Sequence, residues 1–360
     1  MSSRSVYSAG EAALGEAGTL TEQGAAQMDD EYPATTRWGA SPAVKGRRRP
    51  AWPRLFGAGL LLWLAAVVVT FLTDNVNLIP SVVLFGSFLV PVTFVTWAYE
   101  RAHGDEIGVE LMFRAFIVGG MLGILGASVL EAYLLHPNAF SYLGIGLIEE
   151  AVKLLALLVI SRHLRRYTIR DGLLLGATVG FGFAGLESAG YAMAALITPQ
   201  GLSLLSLLQT EILRGLLTPL GHGLWTGILG GVLFSAARGG SPRLTIPVIF
   251  TYLGVAVLHG LWDAMRGIAI DLTLLFTGSR EQLLTVARGE VPEVSSAQDR
   301  LMTVLDWTGL LTISVVALLW LLGVVRRAQA QAAALESRSK PDSESAAPKQ
   351  PPAPPRRPEE

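Results

Sequence analysis

Long apolar blocks dominate the middle of the chain, and polar residues collect at its two ends and in short connections. The apolar residues come in runs of about twenty rather than at amphipathic spacing, and a run of that length crosses a bilayer as a helix. The predicted fold class is therefore all-α, a polytopic transmembrane helix bundle. The pattern predicts eight spans, at about residues 55–73, 78–98, 111–131, 140–161, 171–196, 216–236, 245–269 and 305–325.

The two ends of the chain lack the apolar content needed to pack. Residues 1–50 are rich in Ala, Gly, Ser, Thr and Glu, and they are predicted to be disordered. Residues 326–360 form a Pro-rich, low-complexity tail that is expected to be extended or disordered. The first apolar run begins only near Leu55, so we expect a membrane anchor there rather than a cleaved signal peptide.

Arginine and lysine clusters indicate the orientation of the bundle. With eight spans, all of these clusters lie on one side of the membrane, and the positive-inside rule makes that side the cytoplasm. Both termini are therefore expected in the cytoplasm of a multi-pass cell-membrane protein. The clusters are Arg47 to Arg54, Arg162 to Arg170, Arg238 with Arg243, and Arg326 with Arg327.

Composition narrows the functional classes. The chain is 51% hydrophobic and 16% charged, with a formal net charge of -1, so nothing indicates a nucleic-acid partner. The absence of cysteine excludes a disulfide framework, a thiolate nucleophile and a cysteine zinc site.

Ionisable residues inside the predicted spans are few and costly, so each is a candidate for function. Glu149 and Lys153 lie four residues apart and share a helix face, as do His259 and Asp263. The depth of each candidate follows from its distance along the helix from the outer end of its span. On this measure, the candidates on four spans all lie in the outer third of the membrane, roughly 6 to 10 Å below its surface. The candidate site comprises Glu149, Glu150 and Lys153 in the fourth span, Glu187 in the fifth, His222 in the sixth, and His259 and Asp263 in the seventh.

These side chains suit the activation of water. A carboxylate takes a proton from water, and a histidine polarises a carbonyl or returns the proton to a leaving amine. Two histidines and a glutamate would also bind Zn²⁺ with a fourth position open, so Glu149, His222 and His259 are candidate metal ligands, although the sequence requires no cofactor. Serine and zincin hydrolases lack support, because no Gly-x-Ser-x-Gly or His-Glu-x-x-His motif occurs.

Structural roles compete with this interpretation. A glutamate pair beside a lysine can simply fasten helices, and a lone histidine such as His222 can be an interhelical hydrogen-bond partner. Glu211 and Arg214 are expected to form a solvated pair, and Trp225 and Trp262 are expected to pack. Close helix packing is predicted where small residues recur every four positions, at Gly172, Gly176, Gly180 and Ala184.

Four ordered motifs resemble those of the PrsW family of polytopic intramembrane proteases. They are Glu149-Glu150-Ala-Val-Lys153, Phe183-Ala-Gly-Leu-Glu187, the lone His222 and His259-Gly-Leu-Trp-Asp263, and they cover about residues 110–270. This family is similar in turn to the CAAX-processing and bacteriocin-processing glutamic-type membrane proteases. Those proteases carry His and Asn where this chain has Glu187 and Asp263, so the differences favour the PrsW branch over prenyl-protein processing.

The resemblance implies a protease domain over residues 51–325 that hydrolyses a peptide bond of a membrane-anchored protein, such as an anti-sigma factor, near the outer face. Lys153 would either tune the neighbouring glutamates or neutralise one of them. The resemblance implies that Glu149 activates water with support from Glu150 and Glu187, that His222 handles a proton, and that His259 and Asp263 stabilise the oxyanion.

Two other classes of function remain open from the residues alone. A proton-coupled transporter or channel would use the same buried carboxylates and histidines as a relay, although the chain shows no clear inverted repeat. A non-catalytic membrane scaffold would keep its cellular role when Glu149 is replaced by glutamine.

Overall fold

The computed structural model describes residues 50–101, 107–138 and 140–339. Apart from Pro50, the segment predicted to be disordered at residues 1–50 lies outside this part of the chain, and so do residues 340–360 of the tail. Helices make up nearly all of the described chain, and its sheet is a pair of two-residue strands. The predicted all-α helix bundle is confirmed.

Eleven α-helices follow one another along the described residues. They are α1 (Trp52–Thr73), α2 (Ile79–Arg101), α3 (Val109–Arg114), α4 (Gly120–Leu134), α5 (Ser141–Ser161), α6 (Ile169–Leu196), α7 (Leu204–Leu217), α8 (His222–Ser235), α9 (Ile246–Thr277), α10 (Arg280–Ala287) and α11 (Ser296–Ser339). Short helical turns precede α2 (3₁₀, Val76–Leu78), join α3 to α4 (π, Ala115–Gly119) and join α7 to α8 (3₁₀, Thr218–Leu220). The antiparallel strands β1 (Ile197–Thr198) and β2 (Gly201–Leu202) lie between α6 and α7.

Side-chain caps fix where several helices begin. The Thr168 hydroxyl accepts a hydrogen bond from the backbone N–H of Asp171 at the start of α6. Ser203 caps α7 in the same way, and Ser279 with Gln282 forms a capping box on α10. The polar residues between the apolar runs therefore have a local role in setting the helix boundaries.

The bundle is built to lie in lipid. Seven helical segments of the described chain are long and apolar enough to cross a membrane, and α5 is a further helix of 21 residues that carries three charges in its middle. Large apolar side chains face outward, including Leu72 at 79% and Phe250 at 70% exposure. Water would disfavour such a surface, whereas hydrocarbon covers it without cost. The chain is a multi-pass membrane protein.

The sixth predicted span, residues 216–236, is not one continuous helix. α8 has 14 residues, or about 21 Å, which is too short for a hydrocarbon core of about 30 Å. The apolar run continues backwards through α7, and the two helices are separated by the turn at Thr218–Leu220. Pro219 explains the break, because proline lacks the N–H that a continuous helix needs. As a result, His222 is the first residue of α8.

Glycines bring α6 and α8 into close contact. A Cβ atom at Gly176 would collide with the carbonyl oxygen of Thr226, and one at Gly180 would collide with that of His222. Gly172 makes the same approach further along the helix, against Gly230. The packing predicted from the four-residue repeat is thus confirmed, and it sets the position of His222 relative to α6.

Two helices extend by two turns or more beyond the predicted spans. α9 runs to Thr277 rather than ending near residue 269, and α11 covers Ser296–Ser339 rather than about residues 305–325. The beginning of the tail that was predicted to be extended or disordered from Arg326 is therefore helical as far as Ser339. Ala, Gln, Leu and Glu are strong helix formers, so a helix continues past the apolar run that identifies the span.

Aromatic side chains fill the space between α8 and α9. Trp225 is fully buried, and its ring centroid lies 4.9 Å from that of His259 and 5.7 Å from that of Trp262. These contacts confirm the packing role expected for both tryptophans. They also hold the His259 ring against the interior face of α8.

Candidate active site

Four helices bring the seven predicted side chains together. α5 and α9 pack against each other, and the hydroxyl of Tyr252 on α9 donates a hydrogen bond to the carbonyl of Leu147 on α5 at 2.7 Å. α6 and α8 complete the enclosure through their glycine contact. The resulting group, called the Glu/His cluster below, consists of Glu149, Glu150, Lys153, Glu187, His222, His259 and Asp263.

Lys153 lies at the centre of the cluster and is fully buried. Its Nζ atom lies 3.0 Å from Glu149 Oε2, 3.0 Å from Glu150 Oε1 and 2.9 Å from His222 Nδ1. The same ammonium lies 3.8 Å from the centroid of the Phe183 ring, in a cation–π contact. A buried cation needs such compensation on every side, and here two carboxylates and an aromatic ring provide it.

Glu150 is the most enclosed carboxylate of the cluster, with no exposed surface. Its Oε1 atom faces Lys153 and also lies 3.2 Å from His259 Nδ1, and its Oε2 atom accepts a hydrogen bond from Thr226 Oγ1 at 3.2 Å. Both oxygens are therefore engaged by the protein. This arrangement suits a group that orients His259 rather than one that meets a substrate.

Glu149 connects the interior of the cluster with a cavity. Its Oε2 atom contacts Lys153, lies 3.5 Å from His259 Nε2, and is 4.0 Å from His222 Nδ1. His259 Nε2 lies 3.4 Å from Asp263 Oδ2 but makes no hydrogen bond, although its ring is buried. A buried ring nitrogen without a hydrogen-bond partner is costly, so this atom is suited to a group that the structure does not contain.

Glu187 and His222 form a second charged pair beside the first. His222 Nε2 lies 2.9 Å from Glu187 Oε2, and the same oxygen accepts a hydrogen bond from Arg214 Nη2 at 2.5 Å. Arg214 also donates through Nε to Ser188 Oγ at 2.9 Å. Because Lys153 contacts the other ring nitrogen of His222, the two charged groups are continuous across this ring.

The predicted solvated pair between Glu211 and Arg214 is wrong. Arg214 joins Glu187, whereas Glu211 is buried and accepts a hydrogen bond from the indole N–H of Trp63 at 2.9 Å. The two residues are three apart on α7, a spacing that allows contact. The pair does not form because each residue has a partner on another helix: Arg214 contacts the Glu187 carboxylate of α6, and Glu211 accepts a hydrogen bond from Trp63 of α1.

A cavity of about 390 Å³ opens beside Glu149. The wall includes Phe183, Tyr142 and Tyr191 together with carboxylates. A second cavity, of about 160 Å³, lies on the other side of Glu187 and is lined by His222, Arg214 and Trp225 among others. Glu187 and Asp263 line both cavities. The carboxylate wall of the larger cavity consists of Glu131, Glu149, Glu187 and Asp263.

Three residues of the cluster could hold a metal ion. Glu149, His222 and His259 each offer one ligand atom, and these atoms lie within 4.8 Å of one another. Two imidazoles and one carboxylate are a donor set that zinc accepts, and the unpartnered Nε2 of His259 is consistent with this use. However, the ammonium of Lys153 contacts Glu149 and His222, so metal binding there would require it to move away from both.

Several residues of the site were missed in the sequence analysis. Thr226 follows His222 by four residues and so lies on the same face of α8, a spacing that points to it. Arg214 precedes the proline break in an otherwise apolar run, where a charge is itself a signal. Glu131 was left out of the candidate site because the third span was expected to end at this residue, but α4 continues to Leu134.

Comparisons with known proteins agree with the resemblance to the PrsW family. A family model described as "PrsW family intramembrane metalloprotease" matches residues 108–286, a range that includes every residue of the Glu/His cluster. The chain is also 28% identical over 174 residues to "Protease PrsW" of Shouchella clausii (strain KSM-K16). That match covers 47% of this chain and 75% of the relative. No solved structure matches the chain significantly.

Proposed function

Because the chain belongs to the PrsW family and is a membrane-embedded peptidase, we propose that it hydrolyses a peptide bond of a single-span membrane protein with water activated by Glu149. The observation that carries this assignment is the position of Glu149. Its carboxylate contacts Lys153 on one side and lines the 390 Å³ cavity on the other, so it can reach both a buried charge network and an incoming substrate.

The roles of the carboxylates follow from their surroundings. Glu149 accepts a proton from water, and the water oxygen bonds to the scissile carbonyl carbon. Glu150 has both oxygens occupied, so it keeps His259 in orientation instead of reacting. Lys153 holds the Glu149 carboxylate in place through a charged contact of 3.0 Å.

The two histidines act on different atoms of the peptide bond, one on the carbonyl oxygen and the other on the leaving nitrogen. His259 is held at Nδ1 by Glu150, and it donates a hydrogen bond through Nε2, the nitrogen that faces Asp263 at 3.4 Å, to the oxyanion that forms when water adds. His222 is held by Glu187 at Nε2, and its Nδ1 atom lies 4.0 Å from Glu149. Once Lys153 releases this nitrogen, His222 takes over the proton that Glu149 removed from water and passes it to the leaving amine as the C–N bond breaks. The products are a new carboxylate and a new amine, and no covalent bond to the protein forms.

A metal-dependent form of the site is the alternative mechanism. Glu149, His222 and His259 would hold a Zn²⁺ ion, which supplies a Lewis acid that lowers the pKa of bound water when present. Metal content of the purified protein and activity after chelation decide between the two forms. Stoichiometric zinc with loss of activity on chelation supports the metal form, and full activity in metal-free protein supports Glu149 alone.

A variant of Lys153 provides a second test of whether the site holds a metal ion. Replacing it by methionine removes the cation that competes for Glu149 and His222, so Lys153→Met is expected to bind zinc more tightly than the unmodified protein. Equilibrium dialysis with zinc alone measures this without any cleavage assay. Equal zinc affinity in both proteins would show that the ammonium does not compete for the donor atoms.

A substrate class and a side of the membrane can also be proposed. The expected substrate is a membrane-anchored regulator such as an anti-sigma factor, cleaved near the outer face of the cell membrane. The orientation rests on the Arg-rich segments between α5 and α6 and between α8 and α9, which the positive-inside rule assigns to the cytoplasm.

The experiment that tests the function uses the purified full chain in proteoliposomes. Single-span membrane proteins are added, and new termini are located by mass spectrometry. We expect new termini with the unmodified chain and with Glu110→Gln, an exposed control on α3, and none with Glu149→Gln. Identical termini from all three proteins would refute the role of Glu149, and a cellular phenotype unaffected by Glu149→Gln would favour a scaffold.

A further inference from the structure

The carboxylate wall of the larger cavity has a use beyond the activation of water. We propose that it binds the side chain of a lysine or arginine residue of the substrate next to the bond that is cleaved, and that Glu131 determines this preference. The inference rests on the proposed function and adds a substrate class to it. Its basis is the charge, the unmatched polar atoms and the position of the cavity.

Charge is unbalanced on this wall. The cavity lining includes Glu131, Glu149, Glu187 and Asp263, and none of the described residues that line it is Lys, Arg or His. Glu149 is neutralised from behind by Lys153, and Glu187 by Arg214. Glu131 has no such cation among the described residues, and its Oε1 atom is buried without a hydrogen-bond partner. A cation from outside would satisfy it.

A buried histidine lies behind the other side of the cavity. His259 is fully buried, and its Nε2 atom lies between the carboxylates of Glu149 and Asp263, both of which line the cavity. The nitrogen makes no hydrogen bond. The cavity thus presents Glu149 and Asp263, the two carboxylates that face this nitrogen, at the reacting end and an unpaired acceptor at Glu131. A basic residue next to a scissile carbonyl offers the complementary groups.

The remaining wall suits the same ligand. Tyr142 and Tyr191 line the cavity, and proteins bind cations between carboxylates and aromatic faces. The guanidinium of Arg214 already lies 4.3 Å from the ring centroid of Tyr191, which shows that this ring accepts a cation. A volume of about 390 Å³ is within the range of about 300–1,000 Å³ that is usual for ligand sites.

The position of Glu131 indicates where the basic residue lies in the substrate. Glu131 is three residues from the end of α4 at Leu134, so the cavity lies near the end of a membrane helix. Lysine and arginine are rare in the middle of membrane spans and frequent at their ends. The bond next to the basic residue is therefore expected at the end of the substrate span rather than in its middle.

The test compares matched substrates. Each residue within four positions of the mapped cleavage site is replaced in turn by Lys, Met or Glu, and kcat/KM is measured with the full chain in proteoliposomes. At one position, we expect Lys to exceed Met by about tenfold and Glu to be the poorest, which is typical of a close charge pair. Equal values for Lys, Met and Glu at every position would overturn the inference while leaving the proposed function intact.

Three variants assign the preference to Glu131. Glu131→Gln should abolish the advantage of Lys, and Glu131→Lys should transfer it to the Glu substrate, a gain that misfolding cannot mimic. Ser128→Ala changes the same wall without changing charge and should keep the advantage. If the advantage of Lys is unchanged in Glu131→Gln, another group provides it.

Binding provides an independent measurement if no substrate is cleaved, an outcome that would count against the proposed function itself. Fluorescence anisotropy of labelled peptide pairs that differ only by Lys or Met is measured with Glu149→Gln protein, with and without Glu131→Gln. Tighter binding of the Lys peptide that depends on Glu131 supports the inference. Equal affinity for the two peptides contradicts it.

Discussion

Two glutamates, Glu150 and Glu211, are both buried in helices of this membrane protein, yet their surroundings differ. Glu150 faces the ammonium of Lys153, the ring of His259 and the hydroxyl of Thr226. Glu211 has one hydrogen bond, from Trp63, and its second oxygen is buried without a partner. A buried carboxylate in a membrane helix can therefore stand either in a network of charged and polar partners or with a single hydrogen bond.

The difference lies in what surrounds each group. Glu150 contacts Lys153 and His259, and its neighbour Glu149 lines a cavity, so any proton transfer to a substrate would go through Glu149 and not through Glu150 itself. Around Glu211, Gly86 leaves the space that the carboxyl group fills, and no cation is paired with it among the described residues. A functional assignment thus depends on the neighbours of a buried carboxylate and not on its burial.

The largest effect on stability is expected when the central cation is removed. Lys153→Met leaves two glutamates without their positive partner, and breaking a buried ion pair in this way costs about 3–5 kcal/mol. Glu211→Gln should change stability by about 1 kcal/mol or less, because the amide still accepts from Trp63. Unfolding in mixed micelles measures both. Equal stability of the two variants would remove the distinction between the two environments.

An intermediate effect is expected at the contact between α6 and α8. Gly180→Ala forces a Cβ into the carbonyl of His222 and should cost about 1–3 kcal/mol while lowering cleavage, since His222 is displaced. Gly190→Ala on the same helix meets open space and should be neutral or slightly stabilising. Unfolding and cleavage of the two variants are compared. Normal cleavage by Gly180→Ala would mean that the position of His222 is not critical.

The smallest effect is expected at the partner of Glu211. Trp63→Phe removes the hydrogen bond to the carboxylate and should cost about 1 kcal/mol, with cleavage unchanged. The measurement is the unfolding free energy together with the initial rate on one substrate. A clear loss of cleavage would show that the environment of Glu211 is coupled to the reaction.

The sequence is informative about the site where spacing along one helix determines proximity. Glu149 with Lys153, and His259 with Asp263, are four residues apart and meet as the helical period requires. The bundle is equally predictable, because runs of about twenty apolar residues have few alternatives to a membrane helix. Side-chain contacts within one helix are therefore local and can be predicted from a single sequence.

Contacts between helices could not be derived in this way. Arg214 joins Glu187 instead of Glu211 because α6 and α7 are packed together, and no local spacing reports that. The break before His222 was missed although Pro219 was visible, because the apolar run alone was used to place the sixth span. Glu131 was left out of the site because it was expected to be the last residue of the third span, whereas α4 continues to Leu134. Tertiary packing decides each of these positions.

The measurement that tests the central claim most directly is the initial rate of substrate cleavage by Glu149→Gln and Glu211→Gln, side by side with the unmodified chain. Both substitutions remove one buried carboxylate from a membrane helix and keep its shape. We predict that Glu149→Gln is slower by about 10²–10⁴-fold, the usual contribution of a general base, and that Glu211→Gln stays within about threefold of the unmodified chain. Equal rates for the two variants would contradict the assignment of the Glu/His cluster as the hydrolytic site.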